Sequence, residues 1–134
     1  MIATDRQSDV LHRLQEVHRS CPEMRLGQLL ATVAMLGETV VHGEDVFRAL
    51  GPYRDHPIVD VVAVADFFKG SNLLIGAKRR IAGVSLRATD TAWTNGSGPE
   101  ASGPAIALVM AMTGRKQALD DLEGDGVAVL RGRA

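Results

Sequence analysis

The stretch LGQLLATVAMLGETVVHGEDVFRAL, residues 26–50, decides the first half of the fold. Its apolar residues recur at three- and four-residue spacing, which predicts a long helix over residues 23–50 with a wide apolar face. Three glycines lie inside the pattern, and each costs roughly 1 kcal/mol relative to alanine. A start nearer Leu29 is therefore the alternative. Gly51 and Pro52 end the helix, because proline has no amide proton to continue its hydrogen bonds.

Two more helices are predicted around this one. Residues 5–20 carry an apolar stripe at helical spacing, and Pro22 follows the stripe as a break. Residues 56–80 form a third apolar pattern, in which Gly70-Ser71 marks a kink or a break. The first 80 residues are thus predicted to be mainly helical.

The pattern then changes to a period of two. Residues 81–89 alternate between apolar and polar side chains, which predicts a half-buried strand. The side predicted to be buried consists of Val84, Leu86 and Ala88. The turn cluster NGSGP at residues 95–99 predicts a second strand beside the first. The run AIALVMAM predicts another helix, with Gly114 at its C-terminal cap.

This order of elements, helices first and a small strand-and-helix unit after them, predicts an α+β fold. We expect residues 1–80 to form a helical bundle and residues 81–134 a small α/β C-terminal unit.

Composition narrows the classes of function. The formal net charge is −1 and aromatic residues make up 4%, so the chain has neither the field nor the stacking surfaces that nucleic acid requires. Its one cysteine, Cys21, excludes an intramolecular disulfide and favours a reducing compartment. We interpret it as a small apolar residue near a turn, with a reactive thiol as the alternative. With no apolar leader and no segment of ~20 apolar residues, we expect a soluble, cytoplasmic protein.

Glu38 and His42 are the first candidates for chemistry. Four residues apart on a helix, they lie on one face, where a carboxylate oxygen and an imidazole nitrogen can bind one divalent cation, preferably zinc. The same spacing is typical of solvated pairs. Here Val40 and Val41 place the pair within an apolar stripe, which keeps the metal site as an alternative to the solvated pair.

Asp45 follows one turn after His42. It is predicted either to accept a hydrogen bond that orients the imidazole, or to form a salt bridge with Arg48. Glu44 is predicted to point elsewhere, into solvent. His56 precedes a proline and is interpreted as a helix-start residue.

Three segments carry a resemblance to a known family. LGETVVHGEDVFRALG, residues 36–51, resembles the metal-helix motif of the DinB-like mycothiol-dependent maleylpyruvate isomerase family. DFFKGSNLLIGAKRRIAGVSLRATDTAW, residues 66–93, is similar to the segment that follows in actinobacterial members. Residues 96–130 resemble their C-terminal unit, a reduced sterol-carrier-protein-like α/β piece. Residues 1–80 then correspond to part of the DinB-like bundle.

The resemblance implies a metal held by His, Glu and His, on which a bound thiol, mycothiol, loses its proton. Glu38 and His42 match the second and third ligands. The first ligand belongs to an earlier helix that this chain does not contain, and His12 and His18 do not match its position. We therefore expect an incomplete metal site, with weak metal binding and low or no isomerase activity from the chain alone. Met1 as an internal start of a longer protein is an alternative.

Arg115 follows the Gly114 cap and matches a Gly-Arg of the family's C-terminal unit. The resemblance implies a catalytic contact between Arg115 and the small organic acid substrate; the alternative is a surface arginine. Trp93 and the loop at residues 96–99 are interpreted as packing and turn residues.

Two functions follow as expectations. The first is a metal-dependent, mycothiol-using isomerase or thiol transferase. The alternative is a non-catalytic, homodimeric binding module derived from that scaffold, because missing bundle helices would leave an apolar face that association can cover. Such a dimer could bring two Glu38–His42 pairs together around one metal. The residues predicted to form the exposed apolar face are Leu29, Leu30, Val33, Leu36, Val40 and Phe47.

Overall fold

The computed structural model describes Glu16, Arg19 and residues 26–51, 56–71 and 76–134. Its helices are α1 (Leu26–Leu50), α2 (Ile58–Phe68), α3 (Ala77–Arg80), α4 (Ala105–Met112) and α5 (Gly126–Arg133), with a 3₁₀ helix at Lys116–Asp121. Its strands are β1 (Ser85–Ala88), β2 (Thr94–Asn95) and β3 (Glu100–Gly103). The predicted α+β class is confirmed.

Part of the predicted N-terminal helix lies outside the described residues. Glu16 and Arg19 are helical, while His12, His18 and Cys21 are among the residues that the structure does not describe. Over the described residues, none of the helices is both long enough and apolar enough to cross a membrane.

Helix α1 runs unbroken for 25 residues in spite of its glycines. At Gly37 the absence of a side chain matters, because a Cβ atom there would stand 2.8 Å from Cζ of Phe68 on α2. The glycine thus lets α1 and α2 approach closely. The helix ends at Gly51, whose φ of 85° is left-handed and whose N–H donates to the carbonyl of Phe47 over 3.0 Å.

The apolar face of α1 differs from the prediction. Val40 and Val41 are buried, whereas the large hydrophobic residues exposed among the described side chains of α1 are Met35, Val46 and Leu50. Leu36, Val33 and Phe47 are only half-buried, and the side chains of Leu29 and Leu30 lie outside the described set. The prediction that Val40 forms part of an exposed face is wrong, because this side of α1 packs against the rest of the protein.

The third predicted helix is divided in two. Helix α2 ends at Phe68, and a turn at Lys69 and Gly70 follows it, so the break predicted at Gly70-Ser71 is confirmed. Helix α3 is a single turn that begins after Gly76.

Three short strands form one sheet in the order β2-β1-β3. β1 pairs with β2 in antiparallel fashion and with β3 in parallel fashion, so that Leu86 lies opposite Asn95 on one side and Ala101 on the other. Strands therefore flank the predicted turn cluster on both sides. Val84, Leu86 and Ala88 are buried, which confirms the predicted buried side of β1.

Helix α4 forms the centre of the core. Seven of its eight residues are buried, and it packs against α2, β1 and the 3₁₀ helix. Trp93 is buried as predicted for a packing residue, and its Nε1 donates to Oδ1 of Asp66 over 2.9 Å. One cluster of apolar side chains runs from α1 and α2 through the sheet to Leu130 on α5.

Candidate metal-binding and acidic–basic site

Glu38 and His42 lie side by side on α1. Oε2 of Glu38 is 2.9 Å from Nε2 of His42, and the two side chains are 57% and 64% exposed. The pair therefore lies on the solvent side of the helix, not within an apolar stripe as predicted. The reason is that Val40 and Val41 point to the opposite side and pack into the core.

Oε2 of Glu38 and Nε2 of His42 are within hydrogen-bond distance of each other and provide only part of a metal ligand set. Two ligands of one tetrahedral zinc ion, each at about 2.0 Å, are separated by about 3.3 Å, so a shared ion would require these two atoms to move apart from 2.9 Å. Catalytic zinc sites use three protein ligands. Among the residues that the structure describes, no group of three His, Cys, Asp or Glu side chains is placed to hold a metal ion. Glu38 and His42 are thus two candidate ligands that require a third.

Asp45 lies on the other side of the imidazole. Its Oδ2 is 3.8 Å from Nδ1 of His42, which is within ion-pair range but longer than a hydrogen bond. The same oxygen accepts from Nη2 of Arg115 over 2.9 Å, and Oδ1 accepts from Nε over 3.4 Å. Asp45 makes no salt bridge with Arg48 among the described contacts, so that alternative is wrong: Arg48 contacts Glu44 and Asp121 instead.

Arg115 reaches α1 from the C-terminal half of the chain. Gly114, with a left-handed φ of 86°, turns the backbone after α4, and Arg115 precedes the 3₁₀ helix. Its side chain is 29% exposed, and Nη1 also lies 3.5 Å from the carbonyl oxygen of Thr113. The guanidinium of Arg115 thus binds the carboxylate of Asp45. An anionic substrate at Arg115 would have to compete with Asp45, and the predicted substrate contact stays a prediction.

These contacts form a continuous row of side chains from Glu38 through His42 and Asp45 to Arg115. The row joins two predicted metal ligands to the two residues predicted to support the chemistry, although Arg115 is 70 positions from Asp45 in sequence. A carboxylate held behind a histidine favours one orientation of the ring. The row is therefore the candidate functional site.

A second network is the main feature that the sequence interpretation missed. Glu44 is 9% exposed, and its carboxylate lies 3.1 Å from Nε of Arg48 and 3.0 Å from Nε2 of His56. Arg48 continues to Asp121, with 2.8 Å between Nη1 and Oδ2. The prediction that Glu44 faces solvent is wrong. Because Glu44 is four residues after Val40, it shares the buried side of α1, and this spacing is the signal that could have placed it.

The Glu44 network has a structural role. It connects α1 to His56, two residues before the start of α2, and to the 3₁₀ helix, and it satisfies a carboxylate that burial would otherwise make costly. By holding α1 against both neighbours, the network also fixes the position of Asp45, the next residue, relative to Arg115.

Comparison of the chain with protein-family models, with curated proteins and with solved structures gives no match.

Proposed function

We propose that the chain is a metal-binding protein of the DinB-like, mycothiol-dependent maleylpyruvate isomerase type, with residues 81–134 as its sterol-carrier-like unit. Glu38 and His42 supply two ligands to a divalent cation, zinc by preference. The observation that carries the proposal is the 2.9 Å approach of the Glu38 carboxylate to Nε2 of His42, with Asp45 facing the other ring nitrogen.

The residues behind His42 support this role. Metal-bound histidines commonly have a carboxylate or carbonyl near the second ring nitrogen, which sets the tautomer and the ring orientation. Asp45 stands on that side at 3.8 Å, and Arg115 fixes its carboxylate through two hydrogen bonds. Arg115 acts in this account as a positioning residue for Asp45.

The chemistry expected of such a site is thiol activation. Glu38 and His42 would hold the zinc ion, which when bound would lower the pKa of a thiol ligand such as mycothiol and make it a nucleophile at neutral pH. A small organic acid is the proposed partner substrate. The third ligand has to come from outside the described residues or from a second copy of the chain, so we expect low or no isomerase activity from the isolated chain.

A second candidate function is a homodimeric binding module. Met35, Val46 and Leu50 are 71%, 52% and 72% exposed on α1, and they lie along the same side as His42. Apolar side chains in this arrangement favour association. A twofold dimer through this side would place two Glu38–His42 pairs at the interface.

Calorimetric titration of the full chain with zinc tests the metal site. We expect binding weaker than about 1 µM, because two protein ligands fall short of the usual three. Glu38→Gln and His42→Ala should each remove it, since one remaining donor does not hold the ion. Glu123→Gln is the matched control, because it removes an exposed carboxylate far from α1 in sequence and should leave zinc binding unchanged.

A stoichiometry of one zinc per two chains supports a site shared by a dimer. If zinc does not bind at millimolar concentration, or if both α1 variants bind it as well as the unmodified chain, the proposed metal site is wrong.

A further inference from the structure

The ion pair between Asp45 and Arg115 is open to solvent. Oδ2 of Asp45 accepts from Nη2 of Arg115 over 2.9 Å, and the two side chains are 38% and 29% exposed. Ion pairs that water reaches to this degree contribute little to folding, because solvent screens their attraction and competes for the donors. A free anion therefore has access to Arg115 and has a weak contact to displace there.

The carboxylate of Asp45 does not satisfy this guanidinium fully. An ordinary N–H···O hydrogen bond is about 2.7–3.2 Å long, whereas the second contact of the pair, from Nε to Oδ1, measures 3.4 Å. Because Asp45 is attached to α1, its carboxylate is not free to turn and shorten both contacts. A free carboxylate is able to accept the two parallel hydrogen bonds that a guanidinium donates best. Asp45 thus occupies the place of a carboxylate ligand in a geometry that a free ligand would improve.

A second ion pair attaches α1 to the C-terminal half of the chain independently of Asp45. Nη1 of Arg48 is 2.8 Å from Oδ2 of Asp121 on the 3₁₀ helix, and Nε of Arg48 is 3.1 Å from Oε1 of Glu44. The burial of Val40 on the same helix does not involve Arg115 either. Release of Asp45 from Arg115 would therefore leave α1 in place.

We propose that Asp45 is an autoinhibitory ligand of Arg115, whose carboxylate blocks the guanidinium until a small organic acid displaces it. The inference rests on the proposed function for the class of ligand and adds to it the contact that controls entry of that ligand. One carboxylate replaces another, so the charge of Arg115 is balanced before and after the exchange. Without the acid, Arg115 holds Asp45 beside His42, whose Nδ1 is 3.8 Å from Oδ2.

Titration of the full chain with acetate, in a zinc-free buffer with chelator, tests the proposal. The readout is the nitrogen-15 resonance of Nε of Arg115, and acetamide is the comparison ligand because it has the shape of acetate without its charge. We expect acetate to bind the unmodified chain weakly. It should bind Asp45→Asn and Asp45→Ala about fivefold more tightly or better, the factor that corresponds to the loss of a competing, partly exposed ion pair. Acetamide should leave the resonance unchanged.

Two further variants connect the gain to the contact itself. Asp120→Asn removes the same charge from the neighbouring 3₁₀ helix, but Asp120 pairs with Arg131 at 3.0 Å, so this variant should bind acetate as the unmodified chain does. Addition of Arg115→Gln to Asp45→Asn should abolish binding, as followed by the methyl resonance of acetate. Circular dichroism confirms that each variant is folded.

Equal affinity of acetate for the unmodified chain and for both Asp45 variants would overturn the proposal. A gain of the same size in Asp120→Asn, or an absence of acetate binding in all of these chains, would also overturn it. Because zinc is absent throughout, the result does not depend on whether Glu38 and His42 bind metal. Failure of the metal site and failure of the autoinhibitory contact are thus separate outcomes.

Discussion

Replacement of Glu44 by alanine is expected to lower the free energy of unfolding by about 2–3 kcal/mol. The side chains of Glu44 and His56 are 12% and 14% exposed, so their contact at 3.0 Å is shielded from water. The variant leaves the imidazole without its carboxylate. It also leaves Nε of Arg48 without Glu44, although Nη1 keeps Asp121.

Urea denaturation followed by circular dichroism measures this loss. Glu100→Ala is the control, because the pair between Glu100 and Arg87 joins β3 and β1 at the surface, with both side chains nearly half exposed. The hydrogen bond from Arg87 to Glu100 raises the pKa of the guanidinium, but exposed pairs of this kind contribute little to folding. A loss for Glu44→Ala no larger than for Glu100→Ala would show that the network on α1 does not hold the helix in place.

The second large effect concerns association. A chain carrying both Met35→Lys and Val46→Lys should dimerise at least about 100-fold more weakly than the unmodified chain. The reason is that the dimer would lose two apolar side chains that its interface buries, at a cost of about 3 kcal/mol or more. The two residues are 11 positions apart, about three helical turns, so they lie on one side of α1 with His42 between them. Sedimentation at several protein concentrations gives the dissociation constants.

Ala128→Lys is the control for added charge, since Ala128 is exposed on α5 and belongs to a different surface. We expect it to leave the dimer intact. A chain that remains monomeric at high concentration, or a dimer that tolerates both α1 lysines, would contradict association through this side of the helix.

Most of the elements that were predicted correctly follow from the pattern of neighbouring residues. The alternation around Leu86 predicted β1 and its buried side, because residue period and burial are directly linked in a half-buried strand. The apolar spacing up to Leu50 predicted α1, and Gly51 predicted its end. A glycine with positive φ terminates a helix whatever the helix packs against. These inferences use only neighbouring residues.

The side of α1 that faces the core could not be predicted in this way. Helix α1 has apolar residues on several sides, so its sequence does not show which side faces the core. The buried side is set by the packing of α2, whose Phe68 lies against Gly37. This packing buries Glu44 and exposes Glu38 with His42. Because the buried side of α1 was predicted incorrectly, Glu44 was expected in solvent and the Glu38–His42 pair within an apolar stripe, the reverse of what the structure shows.

The pairing of Asp45 with Arg115 could not be predicted from neighbouring residues either. Each was identified separately as a candidate, yet their contact spans 70 positions and results from the position of the turn after α4. Contacts of this type follow from tertiary packing alone.

Zinc titration of the full chain followed by nitrogen-15 NMR of the imidazole rings is the most direct measurement of the central proposal. We predict that zinc shifts the Nε2 resonance of His42, which faces Glu38 at 2.9 Å, while Nε2 of His56, held by Glu44, does not move. The Glu38→Gln variant should lose the response. A His42 resonance that stays unchanged at saturating zinc, or a response confined to His56, would contradict the assignment of Glu38 and His42 as metal ligands.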